Sequence, residues 1–346
     1  MMLSSSHENR IPLSEFGQHL ILELAVPVLA EGYSALVKAW KTNPKLKALA
    51  QEKGVDAIFS GDTPELTCLR KSNRELVTGM EKEAERRMTE AVRKRFPADT
   101  IIGEELGVSV GRGRRWVFDP VDGTSAMLRT ALAEACDLPL TTPAPAFGIT
   151  VGIVEGDDAI LGLVTQLLPE HGTLVAGNTW IGEKDKATLC DGVPVVPLHT
   201  RAELSVCGLA STVPQVMFNT LEKWSGYQAL MEASHHMVPD QNCIGFMRLL
   251  QDKSDVDIVY EADLAYHDVA ALVPILQGGG IVVSDREGQS LSFPENAIAK
   301  EFNIVAAQAF LHAQALSCIQ KGVALERNRF AGKNNFSQGY ASKFES

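Results

Sequence analysis

The sequence predicts a mixed α/β protein with an N-terminal α+β half and a C-terminal α/β half. One observation is a series of short apolar strand candidates separated by loops, at residues 100–102, 116–118, 147–154 and 159–166. Another is the alternation of strand and helix patterns that begins after residue 197. The third is size, because 346 residues with 45% hydrophobic side chains can build one large domain or two close subdomains.

Helices are expected before the first strand. Apolar residues recur at helical spacing over residues 13–50, and Pro27 and Gly32 are expected to kink or split that helix. The polar stretch 51–76 carries turn signals and is predicted to be a surface excursion or mobile loop. A second amphipathic helix is expected over residues 78–96.

The middle and C-terminal elements follow from turn signals and alternation. Strands 147–154 and 159–166 are predicted to form a hairpin, because an acidic turn containing Gly156 joins them. Residues 128–145 combine an Ala-rich helical piece with a Pro/Thr run and are expected to leave the sheet as an excursion. The second half is expected to contain strands near 204–209, 256–260 and 280–283 and helices near 214–232, from 269, and over 310–319.

These patterns divide the chain at about residue 196. Residues 1–196 are expected to form the N-terminal α+β subdomain and residues 197–322 the C-terminal α/β subdomain. Residues 326–346 are polar and lack a hydrophobic period, so residues 323–346 are predicted to form a tail that is disordered or docks on a neighbour.

Charge and composition exclude several partner classes. With 32 Lys and Arg against 43 Asp and Glu, the formal net charge is −11, which argues against binding nucleic acid or anionic lipid. The apolar stretch 19–30 is interrupted by Glu23 and Pro27, so no membrane span is expected. The six cysteines form no CxxC motif, which is typical of a reducing cytoplasm.

Acidic side chains follow several of the predicted apolar elements. Glu104 and Glu105 follow the first strand, Asp119 and Asp122 follow the second, and Asp268 opens an apolar helix. Each group alone is more typical of a loop, a turn or a helix cap. Their occurrence together and in this order favours a common site.

The Asp-Pro-Val-Asp sequence is predicted to be a tight turn that points both carboxylates to one side, with the Val121 carbonyl between them. Such hard oxygen ligands suit Mg²⁺. Gly123 and Thr124 can then begin a helix whose free N–H groups hold a phosphate. Four acids in one pocket carry a charge of about −4, so two divalent ions are expected to neutralise them.

At these residues the chain resembles the inositol monophosphatase superfamily of metal-dependent, lithium-sensitive phosphatases. The matching motifs are GEE at 103–105, DPVDGT at 119–124, HDVAA at 267–271 and GGG at 278–280, and the resemblance runs over residues 71–319. It implies a layered α-β-α-β-α sandwich of the inositol monophosphatase or fructose bisphosphatase type. It also implies a metal site between the two halves and a homodimer.

The resemblance implies a role for individual residues. It implies Mg²⁺ ligands at Glu104, Asp119, the Val121 carbonyl, Asp122 and Asp268. Thr124 and Glu104 would orient and deprotonate the attacking water, Asp122 belongs to the same catalytic group, and the N–H groups of Gly123 and Thr124 would hold phosphate. Glu261 and Asn242 would contact the substrate, and Lys71 matches the lysine that opens the first motif of the family.

A third, weaker metal site depends on Glu81. The family has aspartate where this chain has Glu81, which is one methylene longer. A structural alternative remains open, because Thr78 and Glu81 also fit a capping box at the start of the second helix.

Within the superfamily the chain is most similar to the histidinol-phosphate phosphatase branch, which implies a small phosphorylated metabolite as substrate and a role in histidine biosynthesis. The similar segments are 163–167 and 267–275, but Asn242 stands where that branch has aspartate. The alternatives are inositol 1-phosphate, 3′-phosphoadenosine 5′-phosphate or a sugar phosphate. Two further alternatives are a non-catalytic binding protein on the same fold and an aspartyl-nucleophile phosphatase. The latter would have one residue between its aspartates, where this chain has two.

Overall fold

The computed structural model describes residues 11–60, 64–140, 144–195 and 201–341. Its α-helices are α1 Leu13–His19, α2 Val26–Lys41, α3 Pro44–Lys53, α4 Val55–Ser60, α5 Pro64–Arg95, α6 Thr124–Cys136, α7 Pro214–Met217, α8 Leu221–Ala233, α9 Asn242–Arg248, α10 Tyr266–Val269, α11 Leu272–Gly278 and α12 Ala309–Ala341. A π-helical turn, Leu20–Ala25, joins α1 to α2, and short 3₁₀ turns occupy Leu204–Val206 and Glu295–Ala297.

The strands form two sheets. They are β1 Thr100–Gly103, β2 Gly107–Ser109, β3 Arg115–Asp122, β4 Gly148–Glu155, β5 Asp158–Glu170, β6 Thr173–Glu183, β7 Leu189–Cys190, β8 Val193–Pro194, β9 Gly208–Ser211, β10 His236–Pro239, β11 Ile258–Leu264, β12 Val282–Ser284 and β13 Phe302–Ala307. The first sheet has the order β2-β1-β3-β4-β5-β6-β7-β8, and the second has the order β10-β9-β11-β13-β12.

The helices and sheets form five layers, which share three hydrophobic cores. The first core lies between helices α1, α2, α5 and α6 and one face of the first sheet. The second fills the space between the two sheets and contains α9, α10 and α11. The third lies between the second sheet and helices α8 and α12. The resulting α-β-α-β-α order confirms the fold class predicted from the sequence.

The N-terminal helices differ from the prediction in how they are divided. The predicted helix over 13–50 is interrupted before α3, and its α-helical pattern is also broken by the π-helical turn Leu20–Ala25, which ends two residues before Pro27. Gly32 does not split α2. It lets α2 approach α5, because a Cβ at Gly32 would lie 2.5 Å from the Met80 Sδ.

The prediction of a loop over residues 51–76 is wrong for the residues that the structure describes. α3 ends at Lys53, α4 follows, and α5 begins at Pro64. α5 ends one residue before the predicted end, at Arg95, but Thr78 lies inside it. The capping-box alternative is therefore wrong, since Thr78 is not at a helix start.

One continuous helical stretch among the described residues, Leu13–Lys41, is long and apolar enough to cross a membrane by length and composition. Its apolar face already packs inside the protein, where Leu20, Ile21 and Leu29 are completely buried. The sequence-based expectation that no membrane is a partner stays a prediction.

The first sheet confirms the predicted hairpin, because β4 and β5 pair antiparallel through Glu155 and Asp158. The prediction of a turn at residues 119–122 is wrong. β3 continues to Asp122, and its pairing with β4 shifts register between Asp119 and Asp122, which is the signature of a β-bulge. β6 was not predicted, since its Gly and polar residues break the apolar pattern.

The C-terminal half alternates strands and helices as predicted, with differences in detail. β10 and β13 were not predicted, and the 204–209 strand begins only at Gly208, after a 3₁₀ turn. α12 continues to Ala341, whereas the composition predicted no regular structure from about residue 326. The proposed boundary near residue 196 stays a prediction.

A row of three glycines, here called the glycine stripe, crosses the first sheet. Gly152, Gly162 and Gly182 are paired neighbours on β4, β5 and β6. A Cβ at Gly162 would lie 1.8 Å from the Ala271 carbonyl oxygen, so only glycine allows this backbone to rest on the sheet. The glycine stripe thereby determines how closely the segment that follows Asp268 approaches the first sheet.

Candidate active site

Three aspartates from two distant parts of the chain meet between the two sheets. Each of Asp119, Asp122 and Asp268 offers a carboxylate oxygen, and these oxygens lie within 4.8 Å of one another. Asp119 is only 1% exposed. The structure thus brings together three of the acids that the sequence singled out.

The β-bulge orients the first two aspartates. Asp119 accepts a hydrogen bond from the Val121 N–H at 2.9 Å, which closes the bulge on itself. Asp122 accepts one from the Cys243 N–H in the first turn of α9, so a helix from the other half of the chain holds it. These bonds leave the remaining oxygens of both carboxylates available to a ligand.

Asp268 is oriented by its own helix. The sequence predicted that Asp268 opens the helix, but α10 begins at Tyr266 and Asp268 is its third residue. Its carboxylate turns back and accepts the Ala265 N–H at 2.7 Å, and His267 lies 3.4 Å away. The same carboxylate therefore both caps α10 through its Oδ2 and belongs to the acidic cluster.

The electrostatics of the three acids suit a divalent cation. Burial and the neighbouring carboxylates together raise the pKa of Asp119 well above its ordinary value and that of Asp122 to about 7. Burial also raises the pKa of Asp268. Because hard carboxylate oxygens are the ligands that Mg²⁺ prefers, the donor set fits this ion.

These raised pKa values predict a pH-dependent effect of Mg²⁺ on stability. The metal-free fold holds protons that the unfolded chain has lost, so its stability falls as the pH rises through about 7. Mg²⁺ must displace those protons, and we therefore expect the increase in Tm at fixed Mg²⁺ to be larger at about pH 8 than at about pH 6. Thermal unfolding at both pH values measures this, with K⁺ at equal ionic strength as control. A pH-independent increase would contradict the assignment.

Thr124 and Glu81 form a hydrogen-bonded pair beside the three aspartates. The Thr124 hydroxyl lies 2.8 Å from Glu81 Oε1 and 3.2 Å from the Val121 carbonyl oxygen. Glu81 is 4% exposed, and burial raises its pKa to about 8. Glu81 therefore reaches Thr124, but it lies outside the cluster formed by the three aspartates.

Glu104 lies at the open side of the cluster. Its side chain is exposed, yet its charge contributes to the raised pKa of Asp119 and of Asp268. The Glu104 N–H donates to the Phe118 carbonyl at 3.1 Å, which anchors its backbone to β3. The predicted roles of Glu104 as ligand and base stay predictions.

Glu85 supports this loop and was not found from the sequence. It is completely buried on α5, and it accepts the N–H groups of Glu105 and Leu106, each at 2.9 Å. A Cβ at Gly103 would lie 1.8 Å from Glu85 Oε1, which explains the glycine before the two acids. The available signal was its position four residues after Glu81, on the same face of α5.

The N-terminus of α6 faces the same region. Gly123 precedes the helix with φ of 102°, a left-handed conformation that favours glycine, and no side chain caps the helix there. The first N–H groups of α6 are therefore available for an anion. This agrees with the predicted phosphate-holding role of Gly123 and Thr124.

Glu261 lies deeper in the same cleft. It is 2% exposed, and its Oε1 accepts both the N–H and the hydroxyl of Thr212, at 2.9 and 2.8 Å. Its Oε2 is buried and has no hydrogen-bond partner in the described structure. Burial, with a smaller contribution from the charges of Asp122 and Asp268, raises the pKa of Glu261 to about 8.

The last two residues that the sequence assigned to the site are Asn242 and Lys71. The side-chain amide of Asn242 donates to the Ala146 carbonyl at 2.7 Å, so this N–H bond is used inside the protein. Lys71 lies on α5, and its side chain falls outside the described residues.

Comparison with known proteins agrees with this geometry. The sequence model of the inositol monophosphatase family matches residues 20–323. The chain is 29% identical to the bifunctional phosphatase IMPL2, chloroplastic, of Arabidopsis thaliana over 70% of this chain and 65% of that protein, so the chain spans less than two thirds of this relative. It is 24% identical to the histidinol-phosphatase of Chlorobaculum parvum over 67% of this chain and 82% of that protein.

A solved structure shows the same fold. The inositol monophosphatase from Zymomonas mobilis matches with a TM-score of 0.59 and 24% identity, over 89% of this chain and 99% of that chain.

Proposed function

The chain belongs to the inositol monophosphatase family, and on that premise we propose that it is a Mg²⁺-dependent phosphomonoesterase acting on a small phosphorylated metabolite. The observation that carries this proposal is the cluster of Asp119, Asp122 and Asp268 beside the uncapped N-terminus of α6. Metal and phosphate sites that adjoin in this way are what hydrolysis of a phosphoester requires.

The chain's own residues supply binding and orientation. The three aspartates and Glu104 would hold Mg²⁺, two ions or three if Glu81 takes part. When bound, Mg²⁺ would neutralise charge on the phosphate and lower the pKa of water. Thr124, which is hydrogen-bonded to Glu81, would orient the attacking water, and Glu104 would accept its proton. The first N–H groups of α6 would hold the phosphate oxygens.

For the substrate we favour histidinol phosphate. Two named relatives support this choice in part: a histidinol-phosphatase and a bifunctional phosphatase. The buried and unpartnered Glu261 Oε2 also supports it, because a carboxylate in that position suits an ammonium group. Inositol 1-phosphate is the second candidate, since a carboxylate also accepts hydroxyl groups and a bovine inositol monophosphatase 1 is 22% identical over 64% of this chain.

A phosphate-release assay tests the proposal. The panel would contain histidinol phosphate, inositol 1-phosphate, adenosine 3′,5′-bisphosphate and fructose 1,6-bisphosphate, each with Mg²⁺, with Ca²⁺ and with a chelator. We expect release only with Mg²⁺ and the highest kcat/KM for histidinol phosphate. No release from any compound would favour the alternative of a binding protein. A phosphorylated Asp119 trapped during turnover would favour the aspartyl-nucleophile mechanism.

Two further properties are proposed, a reducing compartment and a homodimer. The five cysteines that the structure describes are all free thiols, which agrees with a reducing compartment such as the cytoplasm. A homodimer is proposed from the family resemblance alone, and light scattering would measure it.

A further inference from the structure

Residues 240–243, here called the connector, link three parts of the site. Asp240 forms an ion pair with Arg129 on α6, and the Cys243 N–H donates to Asp122. The Asn242 N–H donates to the Thr212 hydroxyl at 3.2 Å, and Thr212 in turn holds Glu261. The connector therefore contacts Asp122 of the metal cluster and α6 directly, and it reaches Glu261 through Thr212.

The connector also holds residues 144–146, at the end of the region that was predicted to leave the sheet as an excursion. The Ala146 N–H donates to the Asp240 carbonyl at 3.1 Å, and the Asn242 side-chain amide donates to the Ala146 carbonyl at 2.7 Å. The Gln241 side chain donates to the Ala144 carbonyl at 3.2 Å. Three hydrogen bonds with consecutive residues of the connector thus hold this short piece of chain before β4.

Asn242 packs against the phosphate-binding turn at the same time. A Cβ at Gly123 would lie 2.6 Å from the Asn242 Nδ2 and 2.9 Å from the Phe147 Cβ, so the carboxamide rests directly on the glycine. Asn242 itself has φ of 48°, a left-handed conformation that asparagine tolerates better than most residues. The side chain thus lies between Gly123 and Ala146 and contacts both.

We propose that Asn242 is a positioning residue that fixes residues 144–146 beside the phosphate-binding turn, so that this segment forms one wall of the substrate mouth. The proposal rests on the proposed phosphatase function, because it assumes that phosphate binds at the Gly123 turn. It replaces the prediction that Asn242 contacts the substrate. A carboxylate at this position could not donate a hydrogen bond to the Ala146 carbonyl, and its oxygen would be repelled by the carbonyl oxygen. This explains why an amide suits this chain.

Asn242→Gly is the variant of choice. Glycine adopts a positive φ without strain, so the change removes the carboxamide while the connector keeps its backbone conformation. The matched control is Asn219→Gly, since the exposed Asn219 side chain donates to Asp263 at 3.1 Å, away from the connector. Both variants lose one side-chain amide donor, but only Asn242→Gly removes the contact that fixes residues 144–146.

Two measurements are made on wild type and both variants. Hydrogen exchange is followed at the Ala146 amide, and steady-state kinetics with Mg²⁺ are measured for the preferred metabolite and for p-nitrophenyl phosphate. For Asn242→Gly we expect exchange to rise about tenfold and KM for the metabolite to rise about five- to tenfold, with kcat within about twofold. KM for p-nitrophenyl phosphate should stay within about twofold, because its ring carries no hydroxyl or ammonium group for Glu261 to bind. Asn219→Gly should match wild type in both measurements.

The outcomes separate this inference from the proposed function. Unchanged Ala146 exchange in Asn242→Gly would overturn the positioning role, and increased exchange with an unchanged KM would overturn the role of the segment as a wall. A parallel rise in KM for both substrates would also overturn it, since that result indicates damage to the phosphate site itself. If wild-type protein releases no phosphate, the proposed function is wrong, and so is the role of residues 144–146 as a wall of the substrate mouth. The exchange result would still decide whether Asn242 holds residues 144–146.

Discussion

Asp122→Asn is expected to lower Mg²⁺-dependent phosphate release by at least about a hundredfold. The neutral amide is a poor ligand for Mg²⁺ compared with a carboxylate, and one charge is lost from the cluster of three aspartates. The fold should survive, because the amide oxygen can still accept the Cys243 N–H and like-charge repulsion within the cluster decreases. Steady-state phosphate release and the Tm of the metal-free protein measure the two effects.

The matched control is Asp158→Asn. Asp158 is a surface carboxylate that lies 2.7 Å from the Lys184 ammonium, and its side chain is 64% exposed. An exposed pair of this kind contributes at most about 1 kcal/mol, so activity should stay within about twofold of wild type. Equal activity in Asp122→Asn and Asp158→Asn would show that Asp122 does not hold the metal.

Gly162→Ala is expected to reduce both stability and Mg²⁺ affinity. The new Cβ would lie 1.8 Å from the Ala271 carbonyl oxygen, and a backbone atom cannot rotate away as a flexible side chain would. The segment after Asp268 must therefore lift from the sheet, at a cost of about 1–3 kcal/mol or more for overpacking. Displacement of Asp268 should weaken Mg²⁺ binding by about tenfold or more, because metal ligands tolerate little misplacement. Denaturant unfolding and calorimetric titration with Mg²⁺ measure these effects.

Gly79→Ala controls for the general effect of replacing glycine. Gly79 lies exposed within α5, and a Cβ there would meet nothing within 4 Å. Because alanine is the better helix former, this variant should be equally or more stable than wild type by up to about 1 kcal/mol. If Gly162→Ala retained wild-type stability and Mg²⁺ affinity, the glycine stripe would not determine the position of Asp268.

The three-aspartate site was predictable because its residues are concentrated in short motifs. Asp119, Asp122 and Gly123 lie within five positions of one another, and the apolar strand before them indicates which side of the sheet they end on. Asp268 required the family resemblance, since a single aspartate before an apolar helix is more typical of a cap. The structure shows that Asp268 both caps α10 and joins the cluster.

The supporting contacts were not predictable because they depend on long-range pairing. Glu85 lies 20 residues before Glu105, and only the packing of α5 on the first sheet shows that it holds that loop. The alignment of Gly152 with Gly162 depends on strand register, which a one-residue slip would destroy. The bulge at Asp119 is likewise a property of the pairing between β3 and β4 and not of the local sequence.

The central helical layer has a practical consequence for dissecting the molecule. α9, α10 and α11 pack against both sheets at once, and their residues share one hydrophobic core with both. A fragment ending near residue 196 would leave the inner face of the first sheet bare, and the complementary fragment would expose the other side of the same helices. Each piece alone should be prone to aggregation. Co-expression of the two pieces is therefore the sensible route to a split version of this protein.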